Sequence, residues 1–394
     1  CVAVINPNRE DCNYPFKGLC GAGVAFKLAF ALADSLSVGP NLIWQYADLI
    51  TLGIAADIVP MVDENRIISH FGLKMIRSGS NIGIKSLIET SNLKIDSIGI
   101  GQIVFWVTPK INAAGRLGEA SRAVKLLSSE NPIYSMEVAR LLDKENEKRK
   151  LITLNMQDES ISMVENDFMD NSNRGIVLFK KDWHPGVIGI VASRIKEMYN
   201  KPTVIIGVED NIGKGSCRSI SGFDIVDALD YCEDLLDGHG GHPMAAGLTI
   251  REKNLLKFKE KFESYCELNI KKEDLIPTIY IDAEIRIREI NSRLINFLKY
   301  LEPYGPKNSK PKFLSKNIMV EGNPNVIGKD QSTIKFKIKQ EQNILEAIAF
   351  GMIDEYEKLI TGKPIDIIYN ISENYWNGKT SLQLEIKDIR YSNE

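Results

Sequence analysis

The sequence predicts an α/β protein that carries a β-barrel at its C-terminal end, and two patterns support this fold class. The first pattern is a strand–helix–strand order. Residues 174–179 and 202–207 are short apolar runs typical of buried strands, and a helical pattern opens at 186–194 between them. This order favours parallel pairing of the two strands with a right-handed crossover.

The second pattern is a series of short alternating strands that begins near residue 276. Apolar residues alternate with lysines over 334–339, which is the period of a half-buried strand. Asn377-Gly378 separates two further strand-like segments, 365–376 and 380–389, and this dipeptide is a strong signal for a β-hairpin. The pattern predicts a small β-barrel, for which we prefer an OB-like (oligonucleotide/oligosaccharide-binding) version.

The preceding part of the chain is mainly helical. Residues 2–5 are typical of a buried strand, and helical patterns follow over 24–36 and 43–55. A long helical tract over 115–127 and 133–164 is strongly charged around residues 143–150. Such a tract is consistent both with a helix that connects two domains and with an ordinary solvated surface helix.

Composition excludes several classes of protein. The 394 residues are 44% apolar and 26% charged with a net charge of −3, so the chain is neither disordered nor strongly basic overall, and any nucleic-acid surface must be local. No apolar stretch is long enough for a membrane helix. The 6 cysteines form no CxxC pair, which predicts reduced thiols and a cytoplasmic protein.

Asp57 is the first candidate for chemistry. It lies among small apolar residues between Ile54 and Pro60. A carboxylate in such surroundings needs a partner or a metal, because burying it alone is costly. The residues alone leave two interpretations open, a metal ligand on one side and a helix cap or buried ion pair on the other.

The segment 109–118 is a second candidate, because its small residues allow the backbone to approach a ligand closely. Asn112 and Arg116 can donate hydrogen bonds there, and the planar guanidinium matches phosphate geometry. The alternative is a helix start whose arginine is merely solvated. His184 is a further candidate, since it immediately precedes a helix N-terminus that favours an anion, although an isolated histidine is also typical of a structural cap.

Two glycine-rich pieces are candidates for a phosphate cradle. The first, 213–219, offers Arg218 and Ser219, and the second, 238–247, offers His239 and His242 in what we predict to be a flexible turn. Neither has the spacing of a P-loop. A zinc site at the two histidines is weakly supported, because nothing clearly supplies two further ligands.

The predicted barrel also has a candidate surface for nucleic acid. Lys335 and Lys337 lie on one face of the alternating strand, with Lys339 beyond them, and suit a phosphate backbone. Tyr375 and Trp376 could stack bases. The alternative is a solubilising strand face with ordinary hairpin aromatics.

Taken together, several strings resemble the RecJ family, the single-strand-specific 5′→3′ DNA exonucleases of the DHH phosphoesterase superfamily. The resemblance runs in order along essentially the whole chain and is highly specific. The matching strings are Ala3-Val4-Ile5-Asn6-Pro7-Asn8-Arg9, Tyr14-Pro15-Phe16-Lys17-Gly18-Leu19-Cys20-Gly21-Ala22-Gly23-Val24-Ala25-Phe26-Lys27, Ala56-Asp57-Ile58-Val59-Pro60, Ile111-Asn112-Ala113-Ala114-Gly115-Arg116, Trp183-His184-Pro185-Gly186-Val187-Ile188-Gly189-Ile190-Val191-Ala192-Ser193-Arg194 and Gly240-Gly241-His242.

The resemblance implies a domain order: the back half of a DHH α/β domain (1–118), a long connecting helical segment (119–170), a DHHA1 α/β domain (171–272) and an OB-like nucleic-acid-binding barrel (273–394). It implies hydrolysis of terminal phosphodiesters in single-stranded DNA during repair and recombination. We expect a monomer that binds single-stranded DNA and no membrane, and the sequence names no repair-protein partner.

The resemblance also implies roles for individual residues. Arg116, Arg218, Ser219 and His242 match positions expected to hold DNA phosphates, and we assign His184, a further motif position, to the substrate as well. Asp57 matches the aspartate of the family's Ala-Asp-x-x-Pro motif, a catalytic ligand in a two-metal Mn²⁺ or Mg²⁺ site.

The sequence departs from the family in its metal-binding motifs. The family's Asp-His-His signature belongs upstream of residue 1, and only Asp11, Asp34 and Asp48 precede Asp57. Because one carboxylate cannot hold two metals, we expect an N-terminally truncated exonuclease whose metal site is incomplete and which is inactive alone.

Two other functions remain possible from the sequence. One is a DHH-family phosphodiesterase that acts on short oligonucleotides or cyclic dinucleotides, but those enzymes lack the added barrel predicted at 276–394. The other is a non-catalytic module that binds single strands through the basic face of the barrel.

Overall fold

The structure is a computed structural model that describes residues 3–117, 119–167, 173–328, 330–376 and 379–392. The side chains of residues 116, 117, 167, 374–376, 379 and 380 lie outside this description. The helices are α1 (Gly21–Ser35), α2 (Asn41–Trp44), α3 (Ala47–Asp57), α4 (Asp63–Ser78), α5 (Ile82–Glu89), α6 (Ile100–Gln102), α7 (Thr108–Leu117), α8 (Ser121–Leu127), α9 (Pro132–Asp167), α10 (Ile188–Tyr199), α11 (Ile225–Tyr231), α12 (Leu255–Asn269), α13 (Ser292–Tyr300) and α14 (Tyr356–Ile360). The strands are β1 (Ile176–Lys181), β2 (Thr203–Glu209), β3 (Ile212–Arg218), β4 (Leu236–His242), β5 (Ala245–Arg251), β6 (Ala283–Glu284), β7 (Phe313–Ile327), β8 (Thr333–Gln340), β9 (Asn343–Ala349), β10 (Ile365–Trp376) and β11 (Lys379–Tyr391).

The chain divides into two compact units. Cys1–Arg77, Ser97–Val104 and Ile279–Glu394 form the unit that we call the barrel unit, and Ser78–Asp96 with Phe105–Thr278 forms the sheet unit. This division groups residues by compactness, so the boundaries of the four predicted domains stay a prediction.

The sheet unit is built on a sheet with the strand order β1-β2-β3-β5-β4. β1 and β2 pair in parallel, with Ile176 opposite Thr203, and α10 connects them. The predicted strand–helix–strand unit is therefore confirmed. β3, β5 and β4 extend the sheet by antiparallel pairing.

Helices cover both faces of this sheet. On one face, α9 and α10 pack on alternate residues of the first two strands, including Ile176, Leu178 and Ile205. On the other face, α11 and α12 pack on the residues between them, such as Val177 and Val204. Because both faces of β1 and β2 are buried, their residues are apolar on both sides, and these strands appear in the sequence as continuous apolar runs. The predicted long helix is confirmed as α9.

The glycine-rich pieces are strands, which corrects the prediction of a flexible turn over 238–247. β4 contains the first part of that segment, β5 begins at Ala245, and only Pro243 and Met244 form the turn between them. Glycine is needed here for close packing. A Cβ at Gly241 would lie 2.4 Å from the carbonyl oxygen of Ala245, a distance that no side chain tolerates.

The barrel unit contains a closed barrel, as predicted. Its strands follow the order β7-β8-β9-β11-β10, and β10 pairs back with β7 to close the ring. β9 and β11 pair in parallel and the other neighbours are antiparallel. Ile334, Phe336 and Ile338 face the interior and are buried, so the predicted alternation is confirmed. This is the OB-type barrel expected from the sequence.

Most of the predicted N-terminal elements are confirmed, with one exception. α1 occupies the first predicted helical segment, and α2 and α3 share the second. The strand predicted at 2–5 is wrong within the described residues, because residues 3–5 belong to no strand and the side chains of Val4 and Ile5 are 63% and 59% exposed. An apolar run forms a strand only when a neighbouring strand pairs with it, and none of the described strands does so here.

No helix in the described part of the chain combines the length and the apolar character that a membrane crossing requires.

Candidate functional site

The sheet unit contains a groove of about 650 Å³ beside the N-terminal end of α10. We call it the sheet groove. It lies over the part of β3, β4 and β5 that is next to this helix end. It is lined by Pro185, Ile188, Gly189, Lys214, Gly215, Ser216, Arg218, Gly238, His239, Gly247, Leu248 and Thr249.

Strand β3 supplies the polar side chains at the floor of the groove. Lys214, Ser216 and Arg218 occupy alternate positions, and successive side chains of a strand point to opposite faces of the sheet. Cys217 therefore points into the core on the other face, where burial raises the pKa of its thiol to about 12. A thiol with this pKa stays protonated near neutral pH and does not act as a nucleophile.

Hydrogen bonds hold the guanidinium of Arg218 in one orientation. Its Nε donates to Ser193 Oγ at 3.0 Å, and its Nη1 donates to Ser216 Oγ at 3.0 Å and to the carbonyl of Cys217 at 2.8 Å. Ser193 in turn donates to the carbonyl of Gly189 at 3.0 Å. A guanidinium fixed in this way presents its positive charge to the groove in one orientation, which favours an anion there.

The N-terminal end of α10 adds a second feature that favours an anion. No side chain caps this helix. A Cβ at Gly189 would lie 3.0 Å from Ser216 Oγ and 3.1 Å from Arg218 Nη2, so glycine allows the helix end to approach these polar groups. Backbone N–H groups and the helix dipole at such an end attract negative charge. Together with Arg218, this end makes the groove a candidate phosphate site.

Ser219, a predicted phosphate ligand, lies outside the groove. Its side chain is 1% exposed, and its hydroxyl donates to the carbonyl of Phe223 at 2.5 Å. Its backbone N–H donates to the carbonyl of Met244. Both of its donors therefore stabilise the loop that follows β3, and the hydroxyl that faces the groove belongs to Ser216, which sequence reasoning missed.

Substitution of the two serines distinguishes these positions. We expect Ser216→Ala to weaken binding of a 5′-phosphorylated single strand about threefold to tenfold, because Arg218 loses one of the groups that orient it. We expect Ser219→Ala to leave this affinity unchanged and to lower the free energy of unfolding by about 1–2 kcal/mol, because the Phe223 carbonyl loses its donor. Anisotropy titrations and urea unfolding measure the two effects, and the reverse pattern would restore Ser219 to the site.

The histidines take roles that differ from the predicted ones. His184 Nδ1 accepts a hydrogen bond from the N–H of Gly186 at 3.0 Å, so it stabilises the loop before α10 without capping the helix. His242 lies exposed at the end of β4, outside the groove lining. His239 lines the groove instead, and its Nε2 lies 2.6 Å from Asp230 Oδ1. Binding of substrate by His184 and His242 stays a prediction.

The segment around Asn112 forms α7, also in the sheet unit. Lys110, 3% exposed, anchors this helix, since its Nζ lies 2.7 Å from Asp143 Oδ1 and donates to Thr90 Oγ1 at 3.0 Å. Asn112 is exposed on the anchored helix, available for a ligand. The side chain of Arg116 lies outside the described residues, as do those of Tyr375 and Trp376 in the barrel unit.

Asp57, the predicted metal ligand, is the last residue of α3 in the barrel unit. Its side chain is exposed and has no hydrogen bond or ion pair among the described residues. It is therefore neither the helix cap nor the buried ion pair left open by the sequence. A carboxylate at a helix C-terminus adds to the negative end of the helix dipole and favours a cation. Burial chiefly, and then the charge of Asp57, raise the pKa of the nearby Cys20 thiol.

The described residues do not by themselves fit a two-metal site. Among them, no three histidine, cysteine, aspartate or glutamate side chains are grouped so that they could hold a metal ion. Asp57 is thus a single candidate ligand, and the carboxylates that two hard cations need are not assembled around it within this part of the chain.

The lysine face of the barrel is interleaved with carboxylates. Lys335 Nζ lies 3.1 Å from Glu346 Oε2, and Lys339 Nζ lies 3.6 Å from Glu321 Oε2. Lys337 is exposed between them, in register with Glu321 on one side and Glu346 on the other. These cross-strand pairs reduce the positive charge that the sequence pattern indicated, so the face is a weaker phosphate surface than the groove.

Fold and site together define a class of protein. An α/β domain with a candidate anion-binding groove is joined in one chain to an OB barrel, a combination suited to nucleic-acid processing. Family models agree with this class. A model described as the DHHA1 domain matches residues 172–268, and one described as the RecJ OB domain matches residues 281–388.

Known relatives identify the family. The single-stranded-DNA-specific exonuclease RecJ of Haemophilus influenzae is 33% identical over 405 residues, which cover 98% of this chain and 70% of the relative. RecJ of Bacillus subtilis is 36% identical over 392 residues, which cover 99% of this chain and 49% of the relative. The chain therefore belongs to the RecJ family, and it spans about half the length of the Bacillus subtilis relative.

A solved structure agrees with this assignment. The crystal structure of RecJ from Thermus thermophilus in complex with Mn²⁺ matches with a TM-score of 0.82 and 30% sequence identity. The match covers 96% of this chain and 54% of that chain. A second structure of the same relative contains Mg²⁺.

Proposed function

We propose that this chain forms part of a single-strand-specific 5′→3′ DNA exonuclease and binds the 5′-terminal phosphate of the strand in the sheet groove. The observation that carries the proposal is the oriented guanidinium of Arg218, which lies beside the uncapped N-terminal end of α10. Repair and recombination of DNA in the cytoplasm is the proposed setting, and a monomer is the proposed state.

Different residues of the chain bind different parts of the strand. Arg218 and the N–H groups of α10 hold the terminal phosphate, and Ser193 and Ser216 fix the direction of the guanidinium. The barrel holds more distant nucleotides through Lys335 and Lys337, with modest affinity because carboxylates flank them. These contacts place the end of the strand; they do not cut it.

Mn²⁺ or Mg²⁺ is the proposed cofactor, by relationship to the Thermus thermophilus protein that was crystallised with each ion. Asp57 is the proposed ligand from this chain. Because the described residues do not fit a pair of metals, no catalytic step is assigned to them, and the chain on its own is proposed to be inactive.

Binding and digestion by the chain test this proposal together. With single strands that carry either a 5′-phosphate or a 5′-hydroxyl, we expect about tenfold tighter binding of the phosphorylated strand, since a phosphate gains charged hydrogen bonds. With Mn²⁺ added, we expect no digestion above background. Equal affinity for both ends would refute the proposed phosphate site, and robust turnover would refute the incomplete metal site.

A non-catalytic single-strand-binding module is the second candidate function, favoured by the closed OB topology. It predicts affinity that falls steeply with salt and ignores the chemistry of the 5′ end. The same titrations, repeated at several salt concentrations, separate the two functions.

A further inference from the structure

Helix α13 presents two aromatic rings to solvent on the outside of the barrel. Its apolar face packs on the barrel core through Leu294 and Leu298. On the other face, Phe297 is 65% exposed and Tyr300 is 79% exposed. These two side chains are neighbours, because they are three positions apart on a helix. They form an aromatic surface on which another planar group can stack.

Helix α4 carries a row of cations that begins beside the C-terminal end of α13. Arg66 Nη2 donates to the carbonyl of Tyr300 at 2.7 Å and to that of Glu302 at 3.3 Å. His70 and Lys74 follow Arg66 at intervals of four residues, so they lie on the same face of α4, about 6 Å apart along its axis. Rings and cations thus adjoin in the barrel unit. We call this area the helix surface, and its members are Arg66, His70, Lys74, Phe297 and Tyr300.

The positive charge of the helix surface is not neutralised by ion pairs. Arg66, His70 and Lys74 form no ion pair with a carboxylate among the described residues. Burial lowers the pKa of His70, and three neighbouring cations lower it further. These cations are Lys74, Arg66 and Arg77. Lys335 of the barrel, by contrast, faces a glutamate on the neighbouring strand. The helix surface therefore attracts anions more strongly than the lysine face of the barrel does.

The helix surface is separate from that lysine face. Lys299 Nζ on α13 lies 2.8 Å from Glu373 Oε1, so α13 lies beside β10. Lys335 and Lys337 belong to β8, and β8 and β10 are not neighbours in the ring. A ligand on the lysine face thus leaves the helix surface open.

We propose that the helix surface binds an internal stretch of single-stranded nucleic acid, with bases stacked on Phe297 and Tyr300 and phosphates held by the cations of α4. Cations at regular intervals suit a phosphate backbone, and stacking on aromatic rings accepts any base. The carboxylates of an acidic protein segment would suit the cations but would not stack on the rings. Neither contact involves the end of a strand, so this inference goes beyond the proposed function and does not depend on the terminal phosphate site.

Binding of a circular oligothymidylate tests this inference, because a circle has no 5′ end to occupy the sheet groove. The whole chain and its variants are titrated against the labelled circle by fluorescence anisotropy. We expect the double variant Phe297→Ala/Tyr300→Ala to bind about tenfold more weakly, because it loses the stacking surface. We expect Lys74→Gln to bind about threefold more weakly, and its slope of log affinity against log salt to decrease by about 0.7, the value for one lost phosphate contact.

Two control variants match these changes. Phe350→Ala removes an aromatic ring that is 58% exposed directly after β9, a strand that does not adjoin β10. Lys257→Gln removes an exposed charge on α12 of the sheet unit. Both should bind the circle as the unchanged chain does, and urea unfolding should show that all of the variants are folded.

Other results would overturn the inference. One is an unchanged affinity for the circle in both the aromatic double variant and Lys74→Gln. Another is a double variant that keeps the circle but loses binding of an oligoglutamate peptide, which would assign the helix surface to an acidic protein segment. Failure of the unchanged chain to prefer a linear 5′-phosphorylated strand would overturn the proposed function alone, since the circle presents no end.

Discussion

Replacing Arg218 by glutamine is expected to weaken binding of a 5′-phosphorylated single strand about thirtyfold, and to leave binding of the 5′-hydroxyl strand nearly unchanged. Hydrogen bonds to charged groups contribute about 2 kcal/mol, which corresponds to a factor of about thirty in affinity. Glutamine keeps the polarity of the side chain but removes its positive charge. Anisotropy titrations with the two strands measure the loss and show whether it is confined to the phosphorylated end.

Two further variants separate charge from geometry. Arg218→Lys keeps the charge but cannot donate to Ser193 and Ser216 in the same arrangement, so we expect an intermediate loss of about tenfold. Arg251→Gln is the control, because Arg251 is exposed on β5, pairs with Asp237 at 3.2 Å and lies outside the groove lining. If Arg251→Gln weakens phosphate binding as strongly as Arg218→Gln, the effect is general electrostatics and the assignment of Arg218 fails.

The sequence predicted the fold well because the fold depends on local periodicity. The alternation around Phe336 and the parallel pairing of β1 with β2 follow from residues that are close together in the chain. The strand predicted at residues 2–5 was wrong because strand formation depends on a non-local partner. A strand needs a pairing partner, and no property of a short apolar run says whether a partner exists.

The candidate site was only partly predictable, because it depends on register and on partners distant in the chain. The sequence correctly indicated Arg218 as a groove residue, but it indicated Ser219 where the structure places Ser216. Strand β3 ends at Arg218, so Ser216 lies in the strand and faces the groove, whereas Ser219 belongs to the following loop. The lysine face of the barrel is paired with Glu321 and Glu346, which lie on neighbouring strands. The sequence pattern of this face therefore indicated more positive charge than the barrel carries there.

A buried carboxylate at the seam of the barrel carries the largest expected effect on stability. Asp366, 3% exposed, lies where β10 closes the ring against β7. Its Oδ2 accepts from Arg390 Nη2 at 3.1 Å, and its Oδ1 accepts from Ser392 Oγ at 2.7 Å and from the N–H of Asn317 at 3.1 Å. The pairing of β10 with β7 is irregular at this point, so the carboxylate satisfies a backbone donor that the ladder leaves unpaired.

These hydrogen bonds determine how the barrel responds to pH. Burial alone raises the pKa of Asp366, but the donors Ser392, Asn317 and Arg390 together outweigh burial and hold the pKa below its usual value of 3.8. A carboxyl group with a lower pKa in the folded state stabilises the protein above the unfolded-state pKa. That contribution is lost as pH falls from about 4 through the folded-state pKa.

Asp366→Asn is therefore expected to lower the free energy of unfolding by about 2 kcal/mol at pH 7, and by less at pH 3, where the unchanged chain has begun to lose the same interaction. This loss is smaller than that of a fully buried ion pair, because Arg390 is 56% exposed and keeps much of its hydration. Urea unfolding followed by far-ultraviolet circular dichroism at the two pH values measures the difference. Asp388→Asn, an exposed change on the same strand as Arg390, should have an effect below about 0.5 kcal/mol at both pH values. A deficit in Asp366→Asn that stays the same at pH 3 would show that the amide disrupts the seam sterically and that the charge contributes nothing.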